Sequence, residues 1–403
     1  MYSYAEKASQ YLKYLSGVKP NRRTGSAGNR AATAFFEQAI RKFGYDIDST
    51  PFPALDYACE TAALSCGDFD FEVFASPYSP ACNVLAEPVV VSTVEELHTT
   101  NFAGKILILR GPICEEQIMP KNFVFYNPEE HQQIISLLEA KKPAGIVAAT
   151  KRNPELAGAL DPFPLFVDGD FDIASVYCVD ALASDLEVLA GREMLLRIDA
   201  ERIPASAANV VARLNSDKAG KIVITAHIDA YESTPGALDN ASGITILLLA
   251  AEMLADYQGK YSLEIVALNG EDHYSAGGQM DYLSRYREEL PAIIVVINLD
   301  AVGYIRGESA YSFYECEPEL VEKMENIFRL HAGLNHGEQW YSGDHMVFVQ
   351  NEVPAVAISS ENLMEILTTV AHTSSDTPAL VDSNKLVEVA EALNDVVRTL
   401  GKT

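Results

Sequence analysis

The fold is decided by the stretch from Lys221 to Asp300, which reads KIVITAHIDAYESTPGALDNASGITILLLAAEMLADYQGKYSLEIVALNGEDHYSAGGQMDYLSRYREELPAIIVVINLD. It contains three apolar runs rich in β-branched residues, at positions 222–226, 263–268 and 293–299. Between the first two runs, residues 242–254 are apolar, long and free of proline, which favours a helix over a strand. Strand, helix, strand, helix, strand is the pattern of an α/β fold with a parallel sheet.

Acidic residues and histidines follow these predicted strands. In open parallel sheets, ligands bind beyond the carboxyl ends of the strands, so these side chains fall where a binding site is expected. A loop before the predicted helix and a later Thr/Ser-rich loop add two more such residues. The residues that we expect to gather at this edge are His227, Asp229, Asp239, Glu271, Asp272, Asp300 and His372.

This set of side chains predicts a metal site. Its carboxylates at positions 239, 271, 272 and 300 would repel one another at one sheet edge unless cations neutralised them. Imidazole and carboxylate ligands suit zinc or another borderline divalent ion, and the set is large enough for two ions that share a carboxylate. Two such ions stabilise both the attacking hydroxide and the oxyanion of a hydrolytic transition state. The predicted chemistry is therefore metal-assisted hydrolysis.

Composition excludes other classes of partner. The chain of 403 residues carries a net charge of −27, from 57 acidic and 30 basic residues. Nucleic-acid backbones and anionic membranes would be repelled, so we predict neither as a partner. The longest apolar run, 244–251, is too short to span a bilayer. A homodimer stays open.

The cysteines and the N-terminus predict a cytoplasmic protein. The six cysteines form no C-x-x-C pair, so we interpret them as reduced thiols. The first residues show no basic segment followed by an apolar run, so no signal peptide is visible, although a secreted protein that had lost its signal sequence would read the same.

The chain order predicts an inserted domain. Helices are expected near 4–15 and 31–43, and from Pro53 to about Ala207 the sequence changes to short strands and turns. About 150 residues is too long for a surface loop, so this part must hold its own core. We predict catalytic-domain segments at 1–52 and 208–403 and an inserted domain at 53–207. The last predicted helix runs from Ser383 to Leu400, with Ser383 as its N-cap.

Five short motifs in order resemble a known family, the dinuclear-zinc exopeptidases that include bacterial leucyl-type aminopeptidases and glutamate carboxypeptidase II. The resemblance implies a three-layer α/β sandwich with a central, mostly parallel sheet. The insert resembles a protease-associated domain in its Gly-Lys-Ile-Leu-Ile-Leu-Arg-Gly segment at 104–111. The five motifs are His-x-Asp at 227–229, Gly-Ala-x-Asp-Asn-x-Ser-Gly at 236–243, Asn-Gly-Glu-Asp at 269–272, Asn-x-Asp at 298–300 and His-Thr-x-x-Asp-Thr at 372–377.

The resemblance also implies roles for single residues. One zinc would be held by His227, Asp239 and Asp300. The second would be held by Asp239, Asp272 and His372, so that Asp239 bridges the two ions. Glu271 would be the general base, Asp229 would orient His227, and Asp376 would support the His372 loop. The family also has a cis peptide bond after the bridging aspartate, which is Asp239-Asn240 in this chain.

Two departures from the family pattern affect this interpretation. Most relatives have a second glutamate where this chain has Asp272, so another divalent ion could occupy the second site. Several relatives have a tyrosine before the last histidine ligand, where this chain has Ala371. Tyr341 or His345 could stabilise the oxyanion instead, and Asp344 of the same loop is a further supporting candidate.

Each residue also has a simpler structural explanation. Asp239 could cap the helix that follows it, Glu271 and Asp272 could form an acidic turn, and His372 could lie on the surface. The motifs in register favour the functional interpretation. The remaining histidines are expected to be structural or exposed, and they are His98, His131, His273, His331 and His336.

We therefore predict a zinc-dependent aminopeptidase acting on peptides. Carboxypeptidase or dipeptidase activity is an alternative, because selection of the peptide end depends on residues outside the motifs. A glutaminyl-cyclase-like enzyme is a second alternative, which His227 disfavours because those relatives lack the first-metal histidine. A non-catalytic binding protein on the same fold is a third, although such relatives lose metal ligands or the base.

Overall fold

The computed structural model describes residues 2–123, 126–189, 191–232, 234–272 and 277–402. The chain divides into two compact units, which we call the first unit (Met1–Ala54 with Ser206–Thr403) and the inserted unit (Leu55–Ala205). These boundaries lie within two residues of the boundaries expected at 52/53 and 207/208. His273 lies outside the described residues, so its expected structural or exposed position stays a prediction.

Helices and strands follow one another along both units. The helices are, in chain order, α1 (Tyr4–Ser16), α2 (Ala27–Arg41), α3 (Val94–Thr99), α4 (Glu129–Lys141), α5 (Pro154–Ala157), α6 (Leu182–Val188), α7 (Gly243–Met253), α8 (Gly277–Tyr286), α9 (Pro318–Phe328), α10 (His345–Val349), α11 (Leu363–Thr369) and α12 (Ser383–Leu400). The strands are β1 (Asp46–Asp48), β2 (Phe52–Cys66), β3 (Phe69–Phe71), β4 (Phe74–Ala75), β5 (Cys82–Ala86), β6 (Pro88–Val91), β7 (Ile106–Leu109), β8 (Gly145–Thr150), β9 (Ser175–Val179), β10 (Met194–Ala207), β11 (Val210–Leu214), β12 (Lys221–His227), β13 (Ser262–Leu268), β14 (Ile293–Leu299), β15 (Ser309–Tyr314), β16 (Leu334–His336) and β17 (Ala355–Ser360).

The first unit is built on an eight-stranded sheet in the order β1-β11-β13-β12-β14-β17-β15-β16. Its centre, from β13 through β12 and β14 to β17, is parallel. The strands on either side, β11 and β15, run antiparallel to their inner neighbours, so the sheet as a whole is mixed. The three predicted strands are confirmed as β12, β13 and β14, and their carboxyl ends meet at one edge of the sheet.

Helices cover both faces of this sheet. Because successive strand residues point to opposite faces, Ile222 and Ile224 of β12 share one face, where they join the core formed with α7 and α12. On the opposite face, Glu264 of β13 accepts a hydrogen bond from the hydroxyl of Tyr282 in α8. Two helix layers around one sheet are the predicted three-layer arrangement.

Helix α7 is the most buried helix of the first unit. Its residues from Gly243 to Ala251 are all buried, because it lies against β12 and β13 and also packs against α1, α2 and α12. This explains why the sequence there is apolar on every face rather than amphipathic. The helix predicted at 242–254 is confirmed.

Helix α12 follows the predicted range, but its predicted cap is wrong. Ser383 is the first residue of the helix, and Asp382 is the N-cap. The Asp382 carboxylate accepts a hydrogen bond from the backbone N–H of Asn384, which satisfies one of the unpaired donors at the helix start.

The inserted unit contains two sheets of its own. A five-stranded sheet has the order β4-β9-β8-β7-β6, and its strands β6 to β9 run parallel. A four-stranded sheet has the order β3-β2-β10-β5. Apolar side chains of both sheets and of α4 are buried within the unit, so the insert holds its own core, as its length predicted. Its likeness to a protease-associated domain stays a prediction.

The described ranges contain no helix with the length and apolar character needed to cross a membrane. The six cysteines are free thiols, and Cys66, Cys114 and Cys178 are buried.

Candidate metal centre

Three neighbouring strands deliver most of the predicted site residues to one place. His227 is the last residue of β12, and Asp300 directly follows β14. Glu271 and Asp272 follow β13 after a short Asn-Gly turn. Because β13, β12 and β14 are adjacent and parallel, side chains that follow their carboxyl ends meet above the same sheet edge.

Asp239 lies in a kinked turn, Ala237–Ser242, between β12 and α7. The Asn240 side chain holds this turn from both sides, because its Nδ2 donates to the carbonyl of Leu299 at 2.7 Å and its Oδ1 accepts from the N–H of Gly243 at 2.9 Å. The Asp239-Asn240 peptide bond is cis, as the resemblance implied. The turn thereby places Asp239 next to the end of β14.

Asp376 supports the same turn rather than only the His372 loop. Its two carboxylate oxygens accept hydrogen bonds from the backbone N–H groups of Leu238, at 2.7 Å, and Asp239, at 3.0 Å. Burial raises the pKa of Asp376 to about 7, although the two backbone hydrogen bonds oppose this rise. Asp376 therefore fixes the backbone of Asp239.

His372 reaches the site from a loop after α11. Its backbone has φ +65°, the left-handed region that residues with a side chain seldom adopt. Its ring stacks on that of Tyr231, with centroids 4.8 Å apart and an angle of 15° between the ring planes. The stacked ring restricts the orientation of the imidazole.

Three groups of potential ligand atoms converge in the described residues, and one of them combines His227, Asp229 and Asp272. The other two, which share Asp239, form the first and the second ligand group. In the first group, His227 Nε2 lies 3.2 Å from Asp239 Oδ1 and 3.6 Å from Asp300 Oδ1. In the second, His372 Nε2 lies 3.4 Å from Asp239 Oδ2 and 3.0 Å from Asp272 Oδ1. The two oxygens of Asp239 thus face different imidazoles, which is the arrangement of a bridging carboxylate.

The spacing of these atoms fits a metal ion. Zinc binds nitrogen and oxygen ligands at about 2.0 to 2.2 Å, so two ligands in tetrahedral arrangement lie about 3.3 Å apart. The nitrogen–oxygen distances above scatter around that value, between 3.0 and 3.6 Å. The Asp272 carboxylate reaches the second group, because its Oδ1 lies 3.0 Å from His372 Nε2.

Unpaired polar atoms support the same fit. Within the described part of the chain, several buried ring nitrogens and one carboxylate oxygen of this cluster lack a hydrogen-bond partner: both ring nitrogens of His227, Nδ1 of His372 and Oδ2 of Asp272. Buried polar atoms are normally hydrogen-bonded, because an unpaired one costs about 1 to 3 kcal/mol. A bound cation would satisfy the atoms that face it.

The carboxylates at the site are buried close together, so their negative charges repel one another. Burial raises the pKa of Glu271 well above its usual range, and the carboxylates of Asp272, Asp300 and Asp344 raise it further. Burial likewise raises the pKa of Asp300. Burial opposes the charged form of His227, but the surrounding carboxylates raise its pKa well above the ordinary value. Carboxylates in this number attract any available positive charge.

Asp229 lies beside His227, with its Oδ1 3.7 Å from His227 Nδ1. Its carboxylate also accepts backbone hydrogen bonds from Gly270 at 2.9 Å and from Asp272 at 3.2 Å. Asp229 therefore supports the loop that carries Glu271 in addition to facing the imidazole.

The three remaining candidates, Tyr341, Asp344 and His345, lie in the segment 340–345 but differ in their surroundings. The Tyr341 side chain is exposed, and its hydroxyl donates to Gln339. The His345 ring is fully buried with Nε2 2.9 Å from the Trp340 carbonyl, and burial lowers its pKa to about 4. A neutral, buried ring that already contacts a carbonyl gives no support to an oxyanion role for His345. The oxyanion role stays a prediction for Tyr341 and for His345.

Asp344 is fully buried and accepts a hydrogen bond from Gln279 of α8. Burial raises its pKa to about 7, and the carboxylates of Asp229 and Asp300 contribute to the rise. It lies close enough to Glu271 to raise the pKa of that carboxyl too. Asp344 thus belongs to the electrostatic environment of the site.

Sequence reasoning missed three residues that the structure brings to this site. Arg22 donates hydrogen bonds to the carbonyls of Ile228, next to Asp229, and of Gly236. The ring of Tyr231 stacks on that of His372, and the side-chain amide of Gln279 donates to Asp344. The basic segment at 19–26 was a visible signal, because basic residues are scarce in this acidic chain. Nothing in the sequence marked Tyr231 or Gln279.

Comparisons with known proteins identify a sequence family that matches the part of the chain that carries the site. Residues 209–397, which contain every residue of the two ligand groups, match the sequence profile of Peptidase family M28. The chain is 22% identical over 368 residues to the probable leucine aminopeptidase 2 of Aspergillus oryzae, a match that covers 87% of this chain and 71% of that protein.

Two solved structures share the fold over nearly the whole chain. The aminopeptidase of Aneurinibacillus sp. strain AM-1 superimposes with a TM-score of 0.77 at 22% identity, covering 99% of this chain and 94% of that one. The zinc aminopeptidase of Bacillus subtilis gives a TM-score of 0.73 at 19% identity, covering 99% of this chain and 95% of that one. These likenesses confirm the predicted α/β fold.

Proposed function

We propose that this chain, which belongs to Peptidase family M28 by its residues 209–397, is a zinc-dependent aminopeptidase that hydrolyses the first peptide bond of peptides. The observation that carries the proposal is the position of Asp239, whose two carboxylate oxygens lie 3.2 and 3.4 Å from two different imidazoles. The zinc and the aminopeptidase activity named for similar proteins agree with it.

Two zinc ions would be held by the two ligand groups. His227, Asp239 and Asp300 would hold the first, and Asp239, Asp272 and His372 would hold the second. The second site could take another divalent ion, because Asp272 is shorter than the glutamate that the family resemblance implies at this position. When bound, the ions supply positive charge that activates water and stabilises negative charge on the substrate carbonyl oxygen.

Glu271 would be the general base. It follows Asn269 and Gly270 at the end of β13, and its Oε2 lies 3.9 Å from His227 Nε2, beside the ligand groups. Its carboxylate would take a proton from the attacking water while the new carbon–oxygen bond forms. It would return that proton to the amide nitrogen as the carbon–nitrogen bond breaks and the amine leaves.

Asp229 and Asp376 would act through their neighbours. The first faces His227 and binds the backbone of the Glu271 loop, and the second binds the backbone of Asp239. Both therefore hold groups that must keep their spacing during the reaction. Supporting contacts of this kind tune metal affinity and ligand basicity.

The first experiment combines metal content with activity. Protein purified without chelator is expected to contain about two zinc ions per chain and to release the first residue from aminoacyl-anilides, with loss of activity on chelation. Glu271→Gln is expected to keep the metal while the turnover number falls by about 100- to 10,000-fold. The exposed Glu288→Gln serves as the matched control and should behave as the unmodified chain. Absence of metal after reconstitution would contradict the proposal.

A second experiment separates the two peptide ends. An aminopeptidase should lose activity on a peptide whose N-terminus is acetylated and retain it when the C-terminus is amidated. The reverse pattern would indicate a carboxypeptidase, and cleavage of dipeptides alone would indicate a dipeptidase. Cyclisation of N-terminal glutamine with no peptide cleavage would indicate a glutaminyl-cyclase-like enzyme, and zinc binding without any turnover would indicate a binding protein.

We also propose a cytoplasmic location and a peptide as the partner, with no nucleic acid and no membrane. The charge of −27 supports the exclusion of polyanions. A homodimer is open to measurement by light scattering.

A further inference from the structure

Arg22 lies in the segment between α1 and α2, and only 3% of it is exposed. Its guanidinium makes four hydrogen bonds to main-chain carbonyl oxygens. Nε donates to Ile228 at 3.1 Å, Nη1 to Leu15 and Pro235 at 2.9 Å each, and Nη2 to Gly236 at 2.8 Å. One rigid side chain thus joins three segments of the first unit.

Two of those segments carry the proposed metal ligands. Ile228 lies between His227 and Asp229, so its carbonyl belongs to the loop that ends β12. Gly236 comes three residues before Asp239, and its carbonyl also accepts the N–H of Ala241 in the kinked turn. The planar guanidinium presents its N–H groups in a fixed fork, so the distance between these loops is set by covalent geometry.

The close approach to Gly236 requires a residue without a side chain. Its backbone has φ +57°, and a Cβ placed there would lie 2.7 Å from Arg22 Nη2 and 2.5 Å from the carbonyl oxygen of Asp239. Glycine therefore allows the guanidinium and the ligand-bearing turn to pack against the same backbone.

The segment around Arg22 also reaches the loop of the proposed base. The carbonyl of Arg22 accepts a hydrogen bond from Asn29 Nδ2 at 3.2 Å, and the same amide binds the side chain of Asn269. Asn269 lies two residues before Glu271. Through Arg22 and Asn29, the N-terminal part of the chain contacts the loop that follows β12, the loop that follows β13 and the start of the kinked turn.

The charge of Arg22 has a second consequence. Its hydrogen-bond partners are neutral carbonyls, yet the carboxylates of Asp229, Asp239, Asp272 and Asp376 all lie near enough to act on the guanidinium electrostatically. A buried positive charge behind the ligands offsets part of their mutual repulsion without entering the place of the ion.

We infer that Arg22 is a positioning residue of the metal site: it holds the His227–Asp229 loop and the Asp239 turn at the spacing that the ions require. This inference rests on the metal site of the proposed function. It does not depend on which peptide end is cleaved. Arg22 lies outside the motifs that carry the family resemblance.

Zinc dissociation constants measured by competition with a chromophoric chelator test the inference on the full chain. Arg22→Met is expected to weaken zinc binding by about 10- to 100-fold, the usual effect of losing a residue that supports metal ligands. Arg22→Lys keeps the charge, but its single nitrogen cannot span four carbonyls, so we expect an intermediate loss. Added zinc should restore much of the turnover number of either variant.

Arg213→Met is the matched control. Arg213 likewise joins two elements of the first unit, because its side chain in β11 donates a hydrogen bond to Glu264 of β13. This contact lies near the amino ends of the parallel strands, away from the proposed metal ligands. This variant is expected to lower thermal stability and to leave the zinc dissociation constant of the folded protein within about twofold of the original. An equal loss of zinc affinity in Arg213→Met and Arg22→Met would show a general structural effect and overturn the inference.

Arg22→Lys keeps the inference testable if Arg22→Met does not fold. Unchanged zinc affinity in Arg22→Lys and in any folded Arg22→Met overturns the inference while leaving the proposed function intact. A chain that binds zinc but cleaves no peptide overturns the proposed activity, and the affinity difference between variants still decides the role of Arg22. A chain that binds no zinc overturns both.

Discussion

The two ends of the parallel strands β12 and β13 bury carboxylates in opposite ways. Near the amino ends, Glu264 is 1% exposed and accepts hydrogen bonds from Arg213 at 2.7 Å, Lys221 at 3.3 Å and the Tyr282 hydroxyl. At the carboxyl ends, Asp239, Asp272 and Asp300 face only partly neutralising imidazoles. The sheet therefore has, near the amino ends of its parallel strands, one carboxylate with two cationic partners, Arg213 and Lys221, and beyond their carboxyl ends a group of carboxylates that face imidazoles.

This difference in charge balance explains why the amino ends of the strands form a structural network and the carboxyl ends form a candidate metal site. A buried carboxylate is tolerated when cations and donors of the protein surround it. Where the protein supplies too little positive charge, the balance must come from a bound ion or a proton. At the carboxyl ends, the buried guanidinium of Arg22 binds carbonyls instead of carboxylates, which leaves the ligand oxygens available.

The largest effect is expected from breaking the paired end. Glu264→Leu would leave Arg213 and Lys221 without their buried partner, and loss of one member of a buried ion pair costs about 3 to 5 kcal/mol. We expect the free energy of unfolding in urea to fall by about 3 kcal/mol with metal affinity unchanged. A fall below about 1 kcal/mol would mean that the pairing at this end contributes little.

The unpaired end should respond with the opposite sign. Without metal, Asp300→Asn removes one of the carboxylates that repel each other, so we expect the chelated protein to gain about 1 to 2 kcal/mol in the same urea experiment. With zinc present, the variant should lose stability relative to the original because it binds the ion less tightly. Loss of stability in both conditions would contradict the idea that these carboxylates repel.

The pH dependence should also reverse with metal. In the metal-free fold, burial raises the pKa of Asp344 and Asp376 to about 7, from an ordinary value of 3.8. Their folded forms hold protons that the unfolded chain has released, so their stabilisation is complete below pH 3.8 and is lost as pH rises through 7. The raised pKa of Glu271 acts in the same direction.

One buried group opposes this trend. Burial lowers the pKa of His345 to about 4 from 6.5, so its contribution is complete above pH 6.5 and is lost as pH falls from 6.5 through about 4. The carboxyls outnumber it, and we expect the chelated protein to become more stable by about 1 kcal/mol per pH unit from about pH 8 to about pH 6. The zinc-loaded protein should become less stable over the same range, because its ligands bind the ion only when deprotonated. Equal slopes with and without zinc, from thermal scans, would contradict this prediction.

The smallest effect is expected from an exposed partner at the paired end. Glu289 forms an ion pair with Lys221, but its side chain is 48% exposed, so solvent screens the interaction. Glu289→Gln should change the free energy of unfolding by less than about 0.5 kcal/mol. A cost similar to that of Glu264→Leu would show that Lys221 depends on Glu289 rather than on Glu264.

Apart from His372, the residues predicted as ligands could be located in the fold from the sequence, because each follows a recognisable strand or turn. His227 and Asp300 end runs of β-branched residues, and the Asp239 turn precedes an apolar helix. Hydrophobic periodicity fixes such elements locally, and parallel strands that alternate with helices must place their carboxyl ends together. The same reasoning failed at the start of α12, where a neighbouring aspartate rather than Ser383 makes the cap.

The supporting contacts were not readable in this way. Arg22 lies 206 residues before Ile228, and Tyr231 stacks on a histidine in another loop. Asp376 was expected to support its own loop but also binds the backbone before Asp239. These contacts join segments far apart in the chain, so no local pattern of residue types announces them.

The sequence by itself determined the strands, the helix between them and the kinds of side chain that end each strand. Those features follow from side-chain period, β-branching and the chemistry of carboxylates and imidazoles, which are local properties. Tertiary structure alone decided that Glu264 is paired while Asp239 bridges two imidazoles, and that Arg22 donates its hydrogen bonds to carbonyls. The physical reason is that charge balance in a buried site depends on which distant segments pack against it.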